Sequence, residues 1–365
     1  MKLDSVIKEA VEFINSGEKN KKLVAEKLSP LKNAKMGEFS SNDLLEDNFV
    51  FPVERKPLNA LIAGVDSGFV AKNLASLDLV LIRAVGAVFN YKEGKVTESN
   101  YHPNYFHFPM PHLSNSALEK HEANCSMSLK RLMEEIKCTK EVIEKFSPDF
   151  CFIDGSVVPQ YADKPPKDSK VVNHYEKILA DFQDLYSVAE KNNCSLIGCV
   201  EDSRGSRFRS IVQEEILTKK NLIEKEKLEN MFDSSMLDYL LSERERTCTF
   251  TYTKSTGKHP ILMDFDEKWS SSIYGFYLRP SSFDRVLRVE FIYSGKEITD
   301  YSNKIASVVN ELSCMHREYA YPSILIEADM RAKLKPEEIN IVFNKIMDKL
   351  GKNIKLRMRR EKRPF

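Results

Sequence analysis

The sequence predicts a mixed α/β fold: a sheet with helices on both faces, preceded by a helical N-terminal extension. Three observations predict it. Two apolar runs, Leu61-Ile-Ala-Gly-Val-Asp66 and Phe150-Cys-Phe-Ile-Asp154, each read as a buried strand that delivers a carboxylate at its end and then turns on small residues. The stretch Leu77–Tyr91 is so rich in apolar and β-branched residues that it needs one long strand or two. Between these strand signals the apolar residues switch to helical spacing, from about Ser114 to Phe146.

Taken in order, residues 1–55 form the extension. Val6, Ala10, Phe13 and Ile14 recur at helical intervals, and Leu23, Leu28 and Leu31 continue the pattern. Past Pro52 and Pro57 the strands begin with Leu61–Val65 and Leu77–Tyr91, and Glu93-Gly94 is a hairpin turn into Lys95–Tyr101. A proline- and histidine-rich loop runs from His102 to His112. The long helix that follows buries a stripe of Leu118, Cys125, Leu129, Leu132, Ile136 and Ile143, and Ser147-Pro148 ends it. Then come strand Phe150–Ile153, helix Val171–Lys191 and strand Ser195–Val200. The order β-β-β-α-β-α-β is the ribonuclease-H-like arrangement. Beyond it lie a basic loop at Arg204–Arg209, helices at Ile211–Glu229 and Ser235–Ser242, paired strands at Ile273–Leu278 and Val286–Tyr293, and helices at Thr299–Glu318 and Pro336–Leu350. Residues 56–351 read as one domain and 352–365 as a basic tail.

Composition excludes several classes. Lys and Arg total 55 against 54 for Asp and Glu, so net charge (+1) says nothing about a polyanionic partner, and only local clusters can. The seven cysteines are scattered and contain no Cys-x-x-Cys pair, which speaks against a disulfide framework or zinc knuckle and for reduced thiols in the cytoplasm. Neither a signal peptide nor a membrane-spanning run is expected. No phosphate-binding glycine loop or serine-hydrolase elbow occurs.

What remains is the acids. Hydrolysis of a phosphodiester needs a strong nucleophile and shielding of the phosphate. Two divalent cations about 4 Å apart supply both. Mg²⁺ and Mn²⁺ prefer carboxylate oxygens brought from separate elements. Asp66 and Asp154 fit that need, although each taken alone is equally a turn residue at a strand end. On the long helix, Glu134 lies nearly opposite the apolar stripe, whereas Glu135 sits at its edge and is the better third ligand, although it reads equally well as a plain surface charge. His102, His107 and His112 recur every five residues among prolines, a spacing that matches neither a helical face nor a zinc finger.

The segments Ala63-Gly-Val-Asp66-Ser-Gly, Phe152-Ile-Asp154-Gly-Ser-Val, Leu196-Ile-Gly-Cys-Val-Glu-Asp202-Ser-Arg, Phe276-Tyr-Leu-Arg279, Leu287-Arg-Val-Glu290-Phe and Tyr321-Pro-Ser-Ile-Leu-Ile-Glu-Ala328 follow one another in a telling order. In that order and spacing the chain resembles the NurA family of archaeal and bacterial nucleases, from about Leu61 to Leu334. The resemblance implies Mn²⁺- or Mg²⁺-dependent DNA cleavage with two ions per site, by single-strand endonuclease and 5′-to-3′ exonuclease activities. It also implies a ring-shaped homodimer docked on a hexameric HerA-type translocase in the resection of DNA ends. Carried over by position, Asp66, Glu135 and Asp154 match the family's metal-binding acids and Tyr321 its Tyr-Pro tyrosine. One departure stands out. The family's histidine eight residues after that tyrosine is here Asp329, a harder, anionic ligand that still suits Mn²⁺ or Mg²⁺ but cannot act as a neutral imidazole. It also leaves open a ring that binds DNA and the translocase without cutting.

For DNA contacts the candidates are Arg204, Arg207 and Arg209, with Phe208 to stack a base, and Arg279, Arg285 and Arg288 around the late strand pair. The basic tail Lys355–Arg363 suits DNA, a partner or simple solvation equally.

Overall fold

A computed structural model of the chain describes residues 3–32, 42–74, 77–114, 118–217, 228 and 231–351. In chain order the elements begin with helix α1 (Leu3–Leu28) and strands β1 (Val50–Pro52), β2 (Ala60–Asn73), β3 (Asp78–Lys92), β4 (Lys95–His102) and β5 (Met110–Ser114). Helix α2 (Lys120–Phe146), β6 (Phe150–Asp154), α3 (Val172–Lys191) and β7 (Ser195–Val200) follow, so that from β2 onward the order is the predicted β-β-β-α-β-α-β with one added strand, β5, before α2. There follow α4 (Arg207–Ile211), α5 (Asp233–Leu237), β8 (Glu245–Thr247), β9 (Phe250–Thr251), α6 (Glu267–Ser270), β10 (Ile273–Arg279), β11 (Leu287–Ile292), α7 (Ile298–Ser313), α8 (Ser323–Ala332) and α9 (Pro336–Leu350).

These elements form two compact units interleaved in sequence: 1–57, 198–256 and 271–323 in the first, and 58–197, 257–270 and 324–365 in the second. In the second unit the strands lie in the order β7-β6-β2-β3-β4, with β5 along β3. The hairpin β3–β4 turns at Glu93 (φ 49°) and Gly94 (φ 74°), as its Glu-Gly pair predicts. β2 runs antiparallel to β3 and parallel to β6. Helices cover both faces. A methyl group on Gly86 would collide with Val142 of α2, and one on Gly64 with the backbone of Ile324 in α8. α9 packs Ile339 against Leu79 and Leu81. The ribonuclease-H-like expectation therefore holds, with β2 at its centre.

The first unit pairs β1, β8, β10 and β11 in sequence as an antiparallel sheet. Its core includes Phe49, Phe208, Ile211, Met236, Phe250 and Tyr277. The expected N-terminal helix supplies Val24, Ala25 and Leu28 to that core. A buried ion pair, Arg246 with Glu46 at 2.7 Å, is completed by Asn303 at 2.6 Å, so neither charge is left without a partner.

Some local expectations are corrected. β2 does not stop at Val65 but continues to Asn73, because Ser67-Gly68 stays paired with Ala84 and Arg83 of β3. His112 belongs to β5, opposite Val80, and not to a loop. The basic loop expected at Arg204–Arg209 becomes helix from Arg207. The helix expected at Ile211–Glu229 is a π-helical stretch over Val212–Leu217, and most of its remainder lies outside the described residues, as does the basic tail. Among the described residues no helix is long and apolar enough to cross a membrane.

Candidate metal centre

Parallel pairing decides where the two aspartates meet. Val65 of β2 is in register with Ile153 of β6, so the next residues, Asp66 and Asp154, stand on neighbouring strands at the same level. β6 ends at Asp154, and Gly155, at a φ of +93° that a side chain resists, turns the chain away. Asp66 is held differently, inside a continuing strand. Alternation puts it on the face of Gly64 and Gly68, where α8 passes close to the backbone, and puts Ser67 on the opposite face toward α2.

Ser67 connects the acids. Its amide donates to Asp66 Oδ1 at 2.6 Å, and its hydroxyl donates to the Glu135 carboxylate. Glu135 is 4 % exposed, at the edge of the buried stripe of α2 where the helical wheel puts it. One turn earlier, Arg131 donates from Nη1 to Glu135 Oε2 at 2.6 Å and to Ser67 Oγ at 2.9 Å. Glu134 instead turns toward His112, 3.5 Å away, and His102 meets Glu141 at 2.8 Å. Two of the three recurring histidines are thus set against glutamates of α2.

The electrostatics are those of crowded anions. Burial, then the carboxylates of Glu135 and Asp154, push the Asp66 carboxyl up to about 8; the Ser67 amide opposes them, and Asp329 adds the smallest push. Burial also raises Glu135, opposed by Arg131 and the Ser67 hydroxyl. Asp329 comes from α8, on the exposed side of that helix. Four carboxylates from β2, α2, β6 and α8 therefore share one field, all within one unit.

The donors are all carboxylate oxygens, which fits Mg²⁺ or Mn²⁺ and does not fit a soft metal. The fit lies in charge and donor type. Among the described residues no three His, Cys, Asp or Glu side chains are already drawn together around a point. Arg131 supplies the positive charge that balances Glu135.

The remaining expected residues lie elsewhere. Tyr321 is buried and donates its hydroxyl to the Cys199 carbonyl at 2.9 Å, which makes it an anchor for the end of β7. Phe208 is 0 % exposed and sits 5.5 Å from both Phe49 and Phe250, so its ring is closed to any base, contrary to expectation. Arg288, 7 % exposed, is likewise corrected from a DNA contact to an internal charge, since its Nε bonds Glu290 at 2.6 Å. Arg207 pairs with Asp43 at 2.6 Å, and Arg209 binds Gln213 at 3.0 Å and the Leu228 carbonyl at 3.1 Å. Arg279 donates to the carbonyls of Asp238 and Leu241, and Arg285 to Asp202. Arg204, Arg279 and Arg285 line a cleft of about 780 Å³ in the first unit. Sequence reasoning missed Arg131 and Ser67. The signal was present for the first, a basic residue one turn before a glutamate on the same helix face.

A ribonuclease-H-like sheet that carries carboxylates on adjacent strands, with a third acid from the crossing helix, defines a protein built around an acidic site. The chain belongs to the NurA family, whose domain matches residues 60–334. Its fold is similar to the crystal structure of the NurA nuclease from Sulfolobus solfataricus, with a TM-score of 0.55 at 13% identity over 83% of this chain and 87% of that one. A second NurA crystal structure aligns over 96% of this chain and 98% of its own, with a TM-score of 0.48 at 10% identity. A third, of NurA bound to dAMP and manganese, gives a TM-score of 0.43 at 10% identity over 94% of this chain and 98% of that one. No curated protein matches the sequence.

Proposed function

We propose that this protein is a divalent-metal-dependent DNA nuclease, with single-strand endonuclease and 5′-to-3′ exonuclease activities. The observation that carries the reading is the strand register that sets Asp66 beside Asp154, with Glu135, Asp154 and Asp329 near enough to help raise the Asp66 carboxyl to about 8. Such a group resists holding all its negative charge near neutral pH until a cation joins it. Membership of the NurA family supports the same reading.

Asp66, Glu135, Asp154 and Asp329 are the residues that would hold Mn²⁺ or Mg²⁺, two ions per site. The metal, when bound, supplies a water of lowered pKa and shields the phosphate. The protein's own part is positional. Strand pairing fixes Asp66 beside Asp154. Arg131 and Ser67 hold Glu135 against its tendency to protonate in a buried place. Asp154 and Asp329, both exposed, form the open side to which a phosphodiester has access.

In this reading the protein is a cytoplasmic homodimer that works with a hexameric HerA-type translocase in DNA end resection and double-strand break repair. Arg204, Arg279 and Arg285 are its candidate contacts to the DNA backbone. A second reading is a catalytically silent ring that binds DNA and the translocase. It is favoured by Asp329 at the family's histidine position and by the existing bond of Glu135 to Arg131. The two separate in one assay. With Mn²⁺ the purified protein degrades single-stranded DNA, and Asp154→Asn abolishes cleavage while melting like the parent. DNA left intact by the parent protein supports the silent ring, and undiminished cleavage by the variant puts the chemistry elsewhere.

A further inference from the structure

The segment from β4 to β5 carries four aromatic rings, Tyr101, Tyr105, Phe106 and Phe108, which none of the chemistry above uses. They form a ladder. Tyr101 meets Tyr105 edge to face with ring centres 4.8 Å apart, and Tyr105 meets Phe106 in the same way at 4.5 Å. The guanidinium carbon of Arg331 lies 4.0 Å from the centre of the Tyr105 ring and 5.7 Å from that of Tyr101. Arg331 Nε and the Tyr101 hydroxyl both donate to Glu327 Oε1, each at 2.8 Å. The base of the ladder is therefore fixed to α8 by a cation and a carboxylate.

Its upper end is left to water. Phe106 is 84 % exposed and Phe108 54 %. Burying a phenyl ring is worth about 1.5–3 kcal/mol, so a loop free to choose would fold these rings inward. Here the ladder holds Phe106 out, and Phe108 stands exposed two residues further along the same segment. Rings presented in this way, with a guanidinium stacked behind them, suit one kind of ligand above others: flat, π-faced bases strung on an anionic backbone. The location agrees. Arg331 and Asp329 are two residues apart on α8, which puts them on opposite sides of one helix about 10 Å across. A strand whose phosphate reaches the carboxylates passes that helix within a short run of nucleotides.

We propose that Tyr105, Phe106 and Phe108, braced by Arg331, form a stacking platform for the bases of single-stranded DNA, across α8 from the acid group. The proposal rests on the nuclease reading and gives its substrate a second point of contact. Stacking accepts any base but requires one, so the platform distinguishes a base-bearing strand from an abasic strand of the same length and charge.

The test measures fluorescence anisotropy of labelled oligothymidylate and of an equally long abasic strand, in EDTA so that neither is cut. The wild type is expected to bind oligothymidylate more tightly. Phe106→Ala should weaken that binding about tenfold, near the low end of the cost of one lost base stack, and leave abasic binding unchanged, while Phe106→Trp restores the preference. A Phe106→Ala variant that keeps the full preference, or that loses affinity equally for both strands, overturns the platform and leaves the nuclease reading standing. A wild type that binds neither strand likewise overturns the platform, and the nuclease reading then stands or falls on the Mn²⁺ cleavage assay.

Discussion

Asp66 shows how the context of one side chain can be misread from sequence. The pair Ser67-Gly68 behind it has the composition of a turn, yet β2 continues for several residues, because β3 is long enough to keep pairing with it. The carboxylate is thereby buried mid-strand, which raises its pKa to about 8 from an ordinary 3.8. The consequence for stability has a definite sign. Between those values the folded protein retains a proton that the unfolded chain has released, so the contribution of this group is greatest at low pH and is lost as pH rises toward about 8. In thermal melts without divalent ions, Asp66→Asn should remove that part of the decline and melt higher than the parent near pH 8. Parallel pH profiles for the two proteins would show that Asp66 does not sit in the field described here. The arginines failed in the opposite direction. Arg207, Arg209 and Arg288 look like DNA contacts in sequence, but acids and a carbonyl of the fold itself claim them, and residue type alone does not reveal a distant partner.

At the level of elements, α8 ties the account together. It crosses β2 so closely that a methyl group on Gly68 would stand 2.6 Å from the Ala332 carbonyl oxygen, and one on Gly64 would stand 2.8 Å from that of Ile324. The glycines permit the approach that puts Asp329 into the field of Asp66. Gly68→Ala must push the helix end away, at a cost of about 1–3 kcal/mol for an overpacked contact. Chemical denaturation should show that loss, and Mn²⁺-dependent cleavage should fall with it. A variant as stable and active as the parent would mean that α8 need not lie so close. The order of strands and helices was legible because each has its own period, and the ends of β7 and α9 were found to the residue. The glycine spacing on β2 was legible too, but it records a helix brought back from far along the chain, which local pattern cannot supply.

For the molecule as a whole, the sequence suggests one domain after an extension, and the fold shows two interleaved units. Interleaving leaves no mark on composition, since neither a linker nor a change of charge is needed where a strand simply passes from one unit to the other. The acids escape this difficulty. Asp66, Glu135, Asp154 and Asp329 all come from the second unit, and all four could be singled out in the sequence, from two strand ends, a helix face and a family motif. The central claim is that these carboxylates bind a divalent cation together. Diffraction at the manganese absorption edge from crystals grown with Mn²⁺ tests it most directly. The account predicts anomalous density between Asp66 and Asp154, within ligand distance of Glu135, that disappears in Asp154→Asn. Crystals saturated with Mn²⁺ that show no such density at these carboxylates would contradict it.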